Sequence, residues 1–396
     1  MTTDNQHIPS GYKPSPLGTI PEDWEVKRLG EVCTFLDSQR IPIKDADRGK
    51  MRGKYPYYGA SGIIDYVNDY IFDDDLILLG EDGANIITRS TPLAFLVSGK
   101  VWINNHAHVL KTNKGYNRYY ICNYLESLSY DKYNTGTAQP KLNQEVCEKI
   151  PVLIPNEEEQ NNISNLLTFW DTAITKQTAL IEQLTLRKCG LMQQLLTGKK
   201  RLKGFEGEWK RIKAGEIFKS ISVKGNGSEV LLSATQEHGV IPRDQLEGRV
   251  TMPTGDTNSF KLVEVGDFVI SLRSFQGGLE YSEHRGIVSP AYTVLKPIVE
   301  IDKSFYRYYF KGAEFIGHLA IAVIGIRDGK QISYEDFCFV RIPYPNIEEQ
   351  IAIASVLVNA DKEIEIHKQK LATMQEQKKG LMQVLLTGKK RINSLL

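Results

Sequence analysis

The sequence predicts an α/β (α+β) chain built twice over. Two mixed globular segments are each followed by a long helix, and the two helices pair as an antiparallel coiled coil about a pseudo-twofold axis. Three observations carry this. Residues Pro155–Leu202 recur without a gap as Pro345–Ile392, with 21 of the 48 positions identical by direct count. Both copies set apolar residues at steps alternating between three and four, the spacing of a coiled-coil seam. The segments ahead of the copies carry strand-like runs divided by turn residues, and they match each other only at scattered positions.

The repeated block reads as a helix from its signals. Asn156 and Asn346, each after a proline, stand where an N-cap belongs, and Glu159 and Glu349 stand where a capping-box partner would. The first seam runs Leu167, Trp170, Ile174, Gln177, Ile181, Leu184, Lys188, Leu191, Leu195. The second runs Leu357, Ala360, Ile364, His367, Leu371, Met374, Lys378, Leu381, Leu385. Gly198 and Gly388 are C-cap candidates. A helix of roughly 40 residues is about 60 Å long. Such a seam must be covered. One chain already supplies both partners, which favours the two helices pairing with each other over homodimerisation of each.

The chain therefore divides into an N-terminal segment 1–21, a globular segment 22–154, helix 155–203, a second globular segment 204–344 and helix 345–396. Strand-like runs are Asp75–Leu79, Asp267–Ser271 and Tyr292–Leu295. Both globular segments open alike, with Trp24…Gly30-Glu31 and Trp209…Gly215-Glu216, and both close on an Ile-Pro approach to the helix. They are read as related folds with diverged loops.

Composition excludes several classes. The net charge is +1, so a nucleic-acid surface has to be a local patch. No apolar run reaches membrane-spanning length, and Met1–Ser10 is polar. The five scattered cysteines form no CxxC pair, so neither a zinc site nor a disulfide framework is expected, and a cytoplasmic location is. No metal and no catalytic residue is expected. Thr197-Gly198-Lys199-Lys200 lacks the upstream glycine and the final Ser or Thr of a P-loop. His106-Ala107-His108 has no third ligand at helpful spacing. Glu25-Val26-Lys27 and Glu208-Trp209-Lys210 lack the upstream Pro-Asp of a nuclease motif, and no amino-methyltransferase motif occurs.

What remains is recognition chemistry in polar loops. In the first half these loops hold Lys54, Tyr57, Tyr58, Ser61, Asn105, His106, Thr137, Gln139 and Lys141. In the second they hold Arg273, Ser274, Gln276, Arg327, Lys330 and Gln331. Arg, Lys, Asn and Gln can read base edges, while Tyr, Ser and backbone amides bind phosphate. The duplicated helix ends offer a second surface, for a partner protein or phosphates: Leu191, Met192, Leu195, Lys199, Lys200 and Arg201, then Leu381, Met382, Leu385, Lys389, Lys390 and Arg391.

These residues resemble the specificity subunits of type I restriction–modification systems. The resemblance is carried by Ile20-Pro21-Glu22-Asp23-Trp24…Leu29-Gly30-Glu31, Gly136-Thr137-Ala138-Gln139-Pro140-Lys141-Leu142, Pro155…Glu158-Glu159-Gln160 with its copy Pro345…Glu348-Glu349-Gln350, and the duplicated Leu-Met-Gln-x-Leu-Leu-Thr-Gly-Lys-Lys-Arg. It covers essentially the whole chain and implies two target-recognition domains separated by two conserved helices. It implies a non-catalytic subunit that reads an asymmetric bipartite site on double-stranded DNA. The helices would dock modification (adenine methyltransferase) subunits, two of them, beside restriction motor-nuclease subunits. S-adenosylmethionine, ATP and Mg would then belong to those partners, with no cofactor on this chain. The second half departs from the pattern, with Gly325-Ile-Arg-Asp-Gly-Lys-Gln331 where the first has Gly-Thr-Ala-Gln-Pro. Two other classes stand as alternatives: a coiled-coil scaffold that binds only protein, and the recognition part of a fused nuclease or methyltransferase.

Overall fold

A computed structural model describes residues 8–246, 256–272, 274–323 and 332–392. The chain divides into two compact units. One comprises Met1–Gln177 with Lys370–Leu396, and the other Thr178–Gln369. Each unit thus holds one globular segment, one half of the helix that follows it, and one half of the other repeat's helix.

In the first unit a six-stranded sheet is formed by β1 (Cys33–Phe35), β2 (Arg52–Gly59), β3 (Gly62–Val67), β4 (Phe72–Gly80), β5 (Ala94–Ile103) and β6 (Ala107–Thr112), in the order β1-β6-β4-β5-β2-β3. All pairings are antiparallel except β2 with β5. The run Asp75–Leu79 lies in β4, with Leu76–Leu79 buried on both faces. Helix α1 (Arg118–Ser127) leads on to α2 (Glu157–Leu195). In the second unit the strands Phe218–Ile221, Thr293–Pro297, Phe268–Ile270 and Glu280–Tyr281 form one sheet, followed by α3 (Lys303–Tyr309) and α4 (Ile347–Leu385). A two-stranded ladder joins the opening of each globular segment to the approach to its long helix: Glu25–Arg28 with Pro151–Ile154, and Lys210–Lys213 with Arg341–Tyr344.

The long helices run antiparallel in each unit, because partner numbers fall on one helix as they rise on the other. In the first unit Glu159 meets Arg391 and Asp171 meets Lys378. In the second, Lys188 meets Asp361 and Arg201 meets Glu349. All nine seam positions of each helix are buried or half-buried. Gly190 and Gly380 are passed without a break in either helix. Both helices end at glycines with positive φ, +73° at Gly198 and +68° at Gly388, where a side chain is strained.

The start of each long helix differs from the capping-box expectation. Asn156 and Asn346 do cap, accepting from the amides of Glu159 and Glu349 at 2.9 and 2.8 Å. The glutamates do not turn back to the cap. Glu159 accepts from the Trp24 indole at 2.9 Å and from Arg391 at 2.7 Å through both carboxylate oxygens. Glu349 accepts likewise from Trp209 at 2.9 Å and from Arg201 at 2.6 Å. A charge-assisted, two-pronged bond to guanidinium outweighs a bond to one backbone amide. The next residue works the same way in both units. Gln160 accepts from the amide of Asn117, the N-cap of α1, and Gln350 from that of Asp302, the N-cap of α3, each at 2.9 Å.

Helix pairing is thereby fused with the core. Leu385, Leu386 and Ile392 pack among Trp24, Ile163 and Leu167 in the first unit, and Leu195 and Leu196 pack beside Ile353 and Leu357 in the second. Each buried leucine contributes about 1.5–3 kcal/mol.

Replacing Arg391 by alanine strands a carboxylate that is only 6 % exposed. Allowing for the partial exposure of the arginine, the expected cost is about 2 kcal/mol. Urea unfolding followed by amide hydrogen exchange should place the loss in the first unit. Arg201→Ala should place it in the second. A uniform loss from either variant would show that the clamps do not act unit by unit.

Candidate nucleic-acid interface

The end of the first sheet where β2 stops and β3 starts, where β4 stops, and where β5 turns into β6 gathers the loops around residues 59–62, 80–84 and 104–107. Their closeness is measurable. A Cβ on Gly80 would stand 2.9 Å from the Ala60 carbonyl, and one on Gly59 would stand 3.5 Å from the Asn104 amide nitrogen. A fourth loop, 134–142, is laced onto them: the Gly83 amide donates to the Pro140 carbonyl and the Leu142 amide to the Glu81 carbonyl. Asn134 closes that loop by accepting from the amides of Gly136 and Lys141 at 3.0 and 2.9 Å. Gly136 passes so near the Gln139 carbonyl that no Cβ fits there.

This face brings together Ser61, Asn105, His106, Thr137, Gln139 and Lys141, all exposed. Three other expected members lie elsewhere. Lys54 is exposed but sits five residues back along β2, about 16 Å from its loop end at 3.3 Å per residue. Tyr57 is 2 % exposed; it packs with Val67 and Trp102, and its hydroxyl accepts from the Ile43 amide. It is a core residue, because alternation along β2 turns it inward. Tyr58 is half-buried against Phe95, and burial pushes its phenol pKa up.

In the second unit Ser274 is buried, and its hydroxyl oxygen accepts from the Ser271 amide, so it shapes a turn instead of facing outward. Gln276 is exposed on the short helix Ser274–Gly277. Arg273, Arg327, Lys330 and Gln331 lie outside the described residues.

The helix-end surface is corrected too. Leu195 and Leu385 are buried in the cores, and Leu191, Met192, Leu381 and Met382 are half-buried against them. Arg201 and Arg391 are held in the clamps, and Arg391 keeps the Asp23 carboxyl below its usual pKa. Of the residues expected on that surface, Lys199, Lys200, Lys389 and Lys390 are the exposed ones.

Sequence reasoning missed what lies under the first face. Asp37, Glu81 and His108 bring ligand-type atoms within 4.8 Å of one another. A cation is already there: Arg40 reaches Glu81 at 2.7 Å and Asp37 at 3.4 Å, and Lys141 reaches Glu81 at 3.3 Å. His108 contacts Asp37 at 2.5 Å through Nδ1 and the Leu142 carbonyl at 2.8 Å through Nε2. Burial alone depresses an imidazole, but the Asp37 hydrogen bond and the neighbouring Cys147 override it and push His108 up to about 10. Both nitrogens then donate and no lone pair is left for a metal. The trio is a buried ion network that holds the loops. The signal for it, an isolated Asp37-x-x-Arg40, had no periodicity to flag it.

Two copies of one clamp, each carrying a globular segment with its own loops, define a protein with two recognition modules on a shared frame. The model of the family described as type I restriction modification DNA specificity domain matches residues 21–186 and again 206–376, and the chain belongs to that family. It is 27 % identical, over 95 % of each chain, to the type I restriction enzyme MjaVIII specificity subunit of Methanocaldococcus jannaschii. Its fold is similar to the crystal structure of a type I restriction–modification S subunit from M. genitalium, with a TM-score of 0.56 over 92 % of this chain and 96 % of that one at 14 % identity. It is also similar to a chain from a structure described as underlying complex assembly and conformational transition of the type I R-M system, with a TM-score of 0.55 over 94 % and 99 % at 15 % identity. No helix among the described residues is long and apolar enough to cross a membrane.

The His108 pair gives the first unit a pH signature. The folded pKa of about 10 lies above an unfolded value of about 6.5. Its stabilisation is therefore complete below 6.5 and is lost as pH rises through 10. Chemical unfolding of the first unit from pH 6.5 to 10 should show this decline. Asp37→Asn, already weakened at pH 6.5, should show a flatter profile. Parallel profiles would mean that His108 is neutral in the folded protein.

Proposed function

We propose that this chain is the sequence-reading subunit of a type I restriction–modification complex, with each globular segment reading one part of a split site on double-stranded DNA. The observation that carries the reading is a frame whose central bonds repeat while the loops it holds do not. Trp24, Glu159, Gln160 and Arg391 have counterparts in Trp209, Glu349, Gln350 and Arg201. Among the described residues the loop faces have no such match: the first stands on a six-stranded sheet, the second on a four-stranded sheet with separate two-stranded ladders. Unlike readers on like frames favour an asymmetric bipartite target.

The same reading gives the chain its partners. The exposed lysine pairs at the helix ends and the outer faces of α2 and α4 are the surfaces for two modification (adenine methyltransferase) subunits, and restriction motor-nuclease subunits complete the assembly in the cytoplasm. S-adenosylmethionine, ATP and Mg belong to those partners, and this chain supplies recognition without catalysis.

DNA binding should weaken steeply with salt, as expected when lysines and arginines displace counterions from phosphate. The purified chain alone should neither methylate nor cut DNA. Once it is assembled with modification subunits, methylation-site sequencing should return two unlike half-sites. Exchanging residues 204–344 for another family member's segment should change one of them. A change in both, or in neither, would sink the assignment of one reader to each half-site.

A further inference from the structure

Within the first loop face one exposed side chain is built to a fixed hydrogen-bonding sense. The His106 side chain is 50 % exposed, yet it is anchored twice. Its backbone amide donates to the side-chain oxygen of buried Asn104 at 2.8 Å, and its backbone carbonyl accepts from the Glu81 amide at 2.8 Å. Its ring nitrogen Nδ1 lies 2.8 and 3.0 Å from the two carboxylate oxygens of Asp82. Asp82 is itself fixed by a backbone bridge to Lys141. An ionised carboxylate can only accept, so Nδ1 is the nitrogen that carries the hydrogen. Nε2, across the ring, has no partner among the described residues. In the neutral imidazole it is an acceptor. His108, two residues on and inside β6, is the contrast, since both its nitrogens are used inside the protein.

We propose that His106, oriented by Asp82, is a specificity-determining contact that accepts a hydrogen bond at Nε2 from the exocyclic amino group of a base. Adenine N6 and cytosine N4 present such a group in the major groove, and guanine N2 in the minor. The edges of thymine offer none, so the contact separates amino-bearing edges from carbonyl-bearing ones. Asp82 is a positioning residue: it acts on the base only through the tautomer it imposes. This rests on reading segment 22–154 as a DNA reader, and it goes beyond that by naming the atom and the class of group it recognises.

The test uses the full chain assembled with its modification subunits and a library of randomised duplexes, sequenced after selection. His106→Ala should cost about tenfold in discrimination at one base pair of one half-site, in the range of a single good base contact, and leave the other half-site unchanged. Asp82→Asn presents a carboxamide that can donate to Nδ1 and free Nε2 to carry the hydrogen. It should relax or reverse the preference at the same base pair. A wild-type measurement needs no variant. In protein labelled with 15N-histidine, His106 Nε2 should resonate as an acceptor nitrogen, free and on the selected duplex, and Asp82→Asn should move it toward the protonated form. An Nε2 that carries hydrogen in the wild-type complex overturns the proposal. So does an unchanged motif in both variants while exchange of the whole first reader still alters a half-site. If exchanging the whole reader alters nothing, the reading of the segment as a DNA reader falls with it.

Discussion

The structure depends on one buried negative charge in each unit. Glu159 and Glu349 sit in the first turn of a long helix and are 6 % and 1 % exposed. A carboxylate so far from water costs several kcal/mol unless it is paired and hydrogen-bonded. The helix dipole supplies part of the compensation. The rest comes from a guanidinium and an indole N–H, and these come from distant parts of the chain: Arg391 and Trp24 for Glu159, Arg201 and Trp209 for Glu349. One charge therefore fixes three stretches at once: the start of a globular segment, the start of the helix that follows it, and the end of the other helix.

That explains which positions of the repeat are identical. Asn156, Glu159 and Gln160 recur as Asn346, Glu349 and Gln350, and Gly198 and Arg201 as Gly388 and Arg391. Each has a bond or a backbone conformation that the clamp needs. The glutamine holds the N-cap of the shorter helix, the glycine takes the positive φ that ends the long one, and the arginine meets the carboxylate. Between them lie positions such as Phe169, Leu186 and Ile366, which are exposed and differ between the copies. Identity gathers at the clamp and the core it closes, and it extends to the exposed lysines that follow, Lys199 and Lys200 with Lys389 and Lys390.

The helices, their antiparallel pairing and the seam were legible because periodicity reports which side of a helix is dry, and every seam position is buried or half-buried, polar Gln177 included. What periodicity cannot report is the partner. Glu159 has the spacing of a capping-box residue and the environment of a buried ion pair. Leu195 and Arg201 have the look of a docking surface and are used inside the unit. On strands the failure is of a different kind. The sequence around Tyr57 is polar, basic and aromatic, and that composition suggests a surface loop. It forms a strand instead, whose alternation buries one tyrosine and half-buries the next. The convergence of loops 59–62, 80–84, 104–107 and 134–142 was not legible at all, since it is set by backbone bonds such as Gly83 to Pro140 and Leu142 to Glu81.

Two adjacent residues in the first unit show how a loop can differ while its support stays put. Extended backbone sends successive side chains to opposite sides. Glu81 points down, where Arg40 and Lys141 neutralise it and where it adjoins the His108–Asp37 pair. Asp82 points out, to a half-exposed histidine. Changing Glu81 would remove the carboxylate that Arg40 and Lys141 share beneath the loops, whereas changing Asp82 alters what the face presents. The boundary between frame and reader therefore runs between two neighbouring carboxylates, and it is drawn by burial.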